Sequence, residues 1–277
     1  MIALLVALVG LGAMVGARAV DNACLPLAGP CERVLFIGNS YTYVNDLPAV
    51  FRHVARAAGH AVVTGIVANG GETLEGHASS TETTAAIAQG WQIVVLQEQS
   101  EIPSVASIRQ QAMYPAVREL VALIRTQGGS PVLLQTWAHR DGWSDNGLDY
   151  AAMQAGIDAG YREIGAELGV QVAPAGDAWQ RAQSGLADAG LWQADGSHPT
   201  VAGTYLAACV LFAEIFGASP VGISSTEGLS DAGARALQEV AWSTVSAAAT
   251  SQGDEATAAA APPPHGPPDA RHTPREY

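Results

Sequence analysis

The chain has 277 residues, 48% of them hydrophobic and 14% charged, enough to bury one α/β core of roughly 200–250 residues but not two large domains. Its formal charge is −13, all thirteen basic residues are arginine, and no basic cluster is available to follow a phosphate backbone, which argues against nucleic acid as a partner. A lysine-free chain also excludes the P-loop lysine of nucleotide-binding enzymes.

The first elements concern targeting. Residues 2–15 form an apolar stretch followed by Ala17-Arg18-Ala19, the small-x-small pattern of a secretory signal, so residues 1–19 are expected to be cleaved on export to a secreted or periplasmic site. No Lys or Arg precedes the apolar run, which keeps an N-terminal membrane anchor as the alternative. Residues 20–31 make a short N-terminal segment in which Cys24 and Cys31 flank a Pro/Gly stretch and can pair in an oxidising compartment. Cys209, alone in an apolar helix, reads as a buried small hydrophobe.

Residues 32–249 carry the fold. Short β-branched runs at 33–37, 61–68, 92–96, 131–136 and 170–173 alternate with helical stretches at 47–58, 108–126, 150–168, 200–216 and 231–246. Strands interleaved with helices predict a three-layer, flavodoxin-like α/β sandwich around a central, mostly parallel five-stranded sheet. The apolar helix at 200–216 is too short to span a bilayer and contains Glu214, so no membrane span is expected in the mature chain. From residue 250 to 277 the sequence turns to Ala, Thr, Pro and Gly, a composition expected to form a disordered tail.

Ligands bind such sheets outside the carboxyl ends of the strands, where "FIGNSYT" places Ser40. Alone, Asn39-Ser40 reads as a turn or helix cap. A serine nucleophile needs an imidazole to take its proton and an acceptor to orient that imidazole. His77 and His139 lie in segments that follow strands, while "DGSHP" sets Asp195 three residues before His198 in one turn. That segment reads equally as a helix start capped by Asp195 and Ser197, with Pro199 opening the helix. The scattered His and Cys have no tetrahedral ligand spacing, so neither a metal nor a cofactor is expected, and no G-x-G-x-x-G follows the first strand to favour a flavin or nucleotide.

Together "FIGNSYT", "ANGGET", "VVLQEQS" and "DGSHP" resemble, in order and spacing, the four blocks of the SGNH (GDSL-type) hydrolase family over residues 33–217. The resemblance implies a serine hydrolase with Ser40 as nucleophile, His198 as general base and Asp195 orienting it. It also implies an oxyanion hole with donors from Ser40 and Gly71, Gly70 being the neighbouring alternative. Asn39 and Tyr41 replace the Asp and Leu of the GDSL signature. The third block departs from the family's asparagine: Gln97, Glu98 and Gln99 stand there, alignment from the strand end favours Gln99 as third donor, and Gln97 is the other choice.

The expected substrate is a small acyl ester, acetyl first. Trp137 and Trp143 after the fourth strand, with Trp179 and Trp192 before the histidine block, raise the prospect of an aromatic edge for sugar rings, although ordinary packing is the commoner role for each. The reading is therefore an exported esterase acting on a small ester or acylated glycan. A non-hydrolytic acyltransferase or glycan-binding member of the same fold is the alternative.

Overall fold

The computed structural model describes residues 31–186 and 190–260, with side chains through residue 250. The expected signal segment, Cys24 and residues 261–277 lie outside the described residues. Cys31 is disulfide-bonded; Cys209 is free and buried, its thiol pushed up to about 12 by burial.

Five strands, β1 (Glu32–Gly38), β2 (Val62–Ala68), β3 (Ile93–Leu96), β4 (Ser130–Leu134) and β5 (Gln171–Ala173), form one sheet in the order β2-β1-β3-β4-β5, every neighbouring pair parallel. In β1 the side chains alternate between two cores. Val34 and Phe36 pack with α2 (Leu47–Ala57), α8 (Ala175–Gly185), α9 (Val201–Phe216) and α10 (Asp231–Ala260), while Leu35 and Ile37 pack with α6 (Tyr114–Thr126) and α7 (Tyr150–Leu168). Both faces are covered, which is why β1 reads as an unbroken apolar run rather than an alternating one.

Four short or irregular helices escape the periodicity of the sequence. α1 (Ser40–Tyr43), α3 (Leu74–Ala78) and α4 (Thr81–Ile87) have too few turns for a pattern to emerge, and their starts are set by caps instead. Thr73 accepts from the Gly76 N–H at 3.0 Å, and Ser80 accepts from the Thr83 N–H at 3.3 Å. The helix expected over 108–126 begins with the single turn α5 (Ala106–Ile108), runs π-helical over Arg109–Met113, and becomes α-helical only at Tyr114. Pro115 has no N–H for the carbonyl four residues back, and the ladder slips upstream of it.

Two expectations are corrected. The tail boundary at 250 falls inside α10, which continues to Ala260; this alanine-rich stretch propagates a helix until the sequence nears the proline run that begins at Pro262. The turn before α9 is capped by Thr200, whose hydroxyl accepts from the Gly203 N–H at 3.3 Å, so the helix starts at Val201 and Pro199 lies outside it. That leaves Asp195 and Ser197 without a capping role. α9 is a core helix, buried from Gly203 to Ala213, and among the described residues no helix is long and apolar enough to cross a membrane.

Strand order reverses direction between β1 and β3, the point in such sheets where loops part and leave a crevice at the carboxyl edge. The segments that follow β1, β2 and β3 converge there.

Candidate active site

The turn after β1 is built around Gly38 and Asn39. A Cβ on Gly38 would collide with Gln97 Oε1 and Thr42 Oγ1, so glycine lets the Gln97 side chain reach under the chain and accept the Asn39 N–H at 2.9 Å and the Thr42 hydroxyl at 2.8 Å. Asn39 in turn caps α1 by accepting the Tyr41 N–H at 3.1 Å, and its Nδ2 donates to the Glu72 carbonyl at 2.9 Å. An ionised aspartate has no hydrogen to give that carbonyl, which accounts for an asparagine here. With the cap supplied by Asn39, Ser40 is left facing outward.

The second half of the site is the turn at 195–199. Its carbonyls and hydroxyls are tied down from three directions: Arg140 N–H to Gly196 O at 2.7 Å, Trp137 Nε1 to Ser197 O at 3.2 Å, and Tyr41 OH to Ser197 Oγ at 2.7 Å. Asn45, held at the left-handed φ of 59°, gives its Nδ2 hydrogen to Pro199 O at 2.9 Å. So held, the turn puts His198 Nε2 at 2.9 Å from Ser40 Oγ and Nδ1 at 2.7 Å from Asp195 Oδ2. Asp195 Oδ1 accepts the N–H groups of Ser197 at 2.9 Å and His198 at 3.0 Å. The Ser197 N–H, followed by the imidazole, holds the Asp195 carboxyl below its usual range, so the carboxylate remains an acceptor for the ring N–H.

Gly70 and Gly71 line the same cleft, with Gln99, Ser100, Glu101, His139 and Tyr43. Its volume is about 430 Å3. Gly71 has φ of 68°, a conformation that favours glycine. The two candidate glutamines are separated by their partners. Gln97 is buried and its amide hydrogens go to Asn39 Oδ1 at 3.0 Å and Glu98 O at 2.6 Å, leaving none for a ligand. Gln99 stands on the cleft wall, its Oε1 accepting the Glu101 N–H at 2.8 Å and its Nε2 3.4 Å from Glu101 Oε2.

Of the other histidines, His77 is buried and bridges Thr83 Oγ1 at 2.9 Å and the Gly38 carbonyl at 2.8 Å, which places it beneath the serine turn. His139 borders the cleft and lies 3.0 Å from Ser100 Oγ; burial pulls its ring below the usual histidine range. The aromatic edge does not form. Trp137 and Trp179 are fully buried and stack on Tyr41 in one column, with centroids 4.6 Å and 4.0 Å apart and planes within 2°. Trp143 and Trp192 are half-buried. Tyr43, an exposed residue of the cleft rim, has no counterpart among the aromatics singled out from sequence.

Glu98, passed over in sequence because it lies between the two glutamines, is completely buried. Its carboxyl is pushed up to about 7 by burial, against the opposing pull of N–H groups from Gln99 and Leu74.

No family model and no curated protein matches this sequence. Solved structures do. A "putative SGNH hydrolase" from Slackia heliotrinireducens is 28% identical and superposes with a TM-score of 0.58 over 67% of this chain and 100% of its own. A DUF4886 family protein from Bacteroides uniformis is 21% identical, with a TM-score of 0.68 over 78% of this chain and 95% of its own. The acetylxylan esterase Axe2 from Geobacillus stearothermophilus is 18% identical, with a TM-score of 0.52 over 66% and 94%.

Proposed function

On the SGNH hydrolase fold that this chain carries, we propose an exported serine esterase that removes a small acyl group, acetyl in the first instance, from an alcohol of a carbohydrate. One observation carries the reading: the unbroken run from Asp195 through His198 to Ser40, with links of 2.7 and 2.9 Å, in a cleft open to solvent.

In this mechanism Ser40 Oγ attacks the ester carbonyl carbon as His198 Nε2 takes its proton, and Asp195 holds the imidazolium that results. Negative charge gathers on the former carbonyl oxygen and is met by the N–H groups of Ser40 and Gly71 and by the Gln99 amide; one such donor is typically worth about 100- to 1000-fold in turnover. His198 then returns the proton to the departing alcohol. Water, activated by the same imidazole, releases the acid and restores Ser40.

Size and polarity support a short acyl chain, since the cleft is bordered mainly by hydroxyl, amide and carboxylate groups and by glycine, a lining suited to a small polar ester. Tyr43 at the rim offers an exposed aromatic face on the cleft wall for a sugar ring, and the Axe2 neighbour is an acetylxylan esterase. Solvent access to His198, whose side chain is 35% exposed, favours water over a second alcohol as acyl acceptor. Export rests on the apolar 2–15 segment ahead of Ala17-Arg18-Ala19.

The test is hydrolysis of p-nitrophenyl acetate and butyrate by the purified protein. Turnover with acetate ahead of butyrate, lost in folded Ser40→Ala and His198→Ala variants, is the expected result. A folded parent without turnover, or a Ser40→Ala variant that retains it, overturns the proposal.

A further inference from the structure

Glu98 is a buried carboxyl for which the mechanism above has no use. Taking such a group out of water is costly, and an apolar residue of similar size would pack without that penalty. Its contacts indicate what it does instead. One oxygen, Oε1, accepts two backbone hydrogens: the Gln99 N–H at 2.7 Å and the Leu74 N–H at 3.1 Å. The other, Oε2, is buried and has no hydrogen-bond partner among the described residues.

The two hydrogens belong to different loops. Leu74 closes the segment that carries Gly70 and Gly71, and Gln99 belongs to the segment after β3. Both segments border the cleft in front of Ser40. The geometry points to Glu98 as a positioning residue: a single carboxyl oxygen pins the Gly71 loop to the Gln99 loop and so fixes the spacing of the donors that face the developing oxyanion. This inference rests on the esterase reading of Ser40.

Positioning of this kind acts on the transition state more than on the bound ester. A donor displaced by about 1 Å costs on the order of 100-fold in rate, whereas a small ester in its ground state gains little from the same donor. The element required is an acceptor oxygen rather than a charge, because an amide carbonyl can receive the same two hydrogens.

The experiment compares the parent with Glu98→Gln, Glu98→Ala and Glu98→Met on p-nitrophenyl acetate, with Ser40→Ala as reference and near-UV circular dichroism to verify folding. Glu98→Ala and Glu98→Met should lower kcat about 10- to 100-fold with KM within about twofold of the parent. Glu98→Gln should hold kcat within about threefold. If Glu98→Ala does not fold, Glu98→Met, which refills the volume, carries the comparison. Normal kcat in a folded Glu98→Met variant overturns the inference, and so does a loss in Glu98→Gln as deep as in Glu98→Met. A parent without Ser40-dependent turnover overturns the esterase reading and this inference with it; the other two results overturn this inference alone.

Discussion

Two clefts of this molecule are each built around an aspartate that contacts another titratable group. In the cleft of Ser40, Asp195 meets an imidazole at 2.7 Å and two backbone N–H groups. In the other, of about 610 Å3, Asp158 lies beside Asp177, with Gln135 Nε2 donating to Asp158 at 2.9 Å and to Asp177 at 3.4 Å and Gln154 Nε2 donating to Asp158 at 2.7 Å. The larger cleft has the weaker case for catalysis. A carboxylate against an imidazole creates a base that can take a proton from a hydroxyl and pass it to a leaving alcohol, whereas burial and the neighbouring Asp177 carboxylate push the Asp158 carboxyl up to about 7, so that it holds its proton below neutral pH. The Gln135 and Gln154 amides that donate to that pair can give a hydrogen bond but cannot take up and pass on a proton.

The sharpest break of this contrast is removal of Ser40. Ser40→Ala should lower kcat on p-nitrophenyl acetate by about 10,000-fold or more, and His198→Ala by a similar factor. Asp195→Asn should cost less, about 10- to 1000-fold in kcat, because the Asp195 side chain is 47% exposed and water substitutes in part for the lost charge. Gln99→Ala, read in single-turnover kinetics, should cost about 100-fold in acylation rate; an unchanged rate removes Gln99 from the oxyanion hole.

The smallest effect tests the other cleft. Asp158→Asn should leave esterase activity within about twofold and change only stability. Because burial raises the folded carboxyl to about 7, above the roughly 3.9 of an unfolded aspartate, the folded state holds a proton that the unfolded chain has already lost between those values. Stability from this group is therefore fully present below about pH 4 and declines as pH rises towards 7. The asparagine variant is free of that decline. Its Tm should exceed that of the parent at pH 8 by about 2–4 °C, for roughly 1 kcal/mol in a domain of this size, and lose the advantage at pH 4. A loss of hydrolysis in Asp158→Asn would instead bring the second cleft into the chemistry.

What the sequence disclosed follows the same division between local and distant causes. The expected strand runs coincide with β1 to β5 within two residues at each end, because a sheet covered on both faces writes itself as short apolar β-branched runs. The helix at Tyr150–Leu168 was equally legible, its end marked by Gly169 at a φ of 58°. Asp195 and His198 share one turn, and their contact is a local matter. That Ser40 reaches His198 across 158 positions follows only from the strand order. The roles of Gln97 and Gln99 were not separable in one dimension, since neighbouring glutamines differ here in which loop each amide meets. Helix α8 also escaped. The burial of Trp137 and Trp179 agrees with the packing role favoured for each tryptophan from sequence, but that the two stack beneath the serine turn has no signal in one dimension.

That column of rings has an optical consequence. Two indoles lying parallel at 4.0 Å are close enough to couple their electronic transitions, and a phenol stacked at 4.6 Å sits in the same asymmetric field. Near-ultraviolet ellipticity of this protein should thus arise in large part from the three rings behind Ser40, and it disappears when tertiary packing loosens. The chain carries its own spectroscopic gauge of whether the ground under the nucleophile is intact, readable without substrate and undisturbed by loss of the serine hydroxyl.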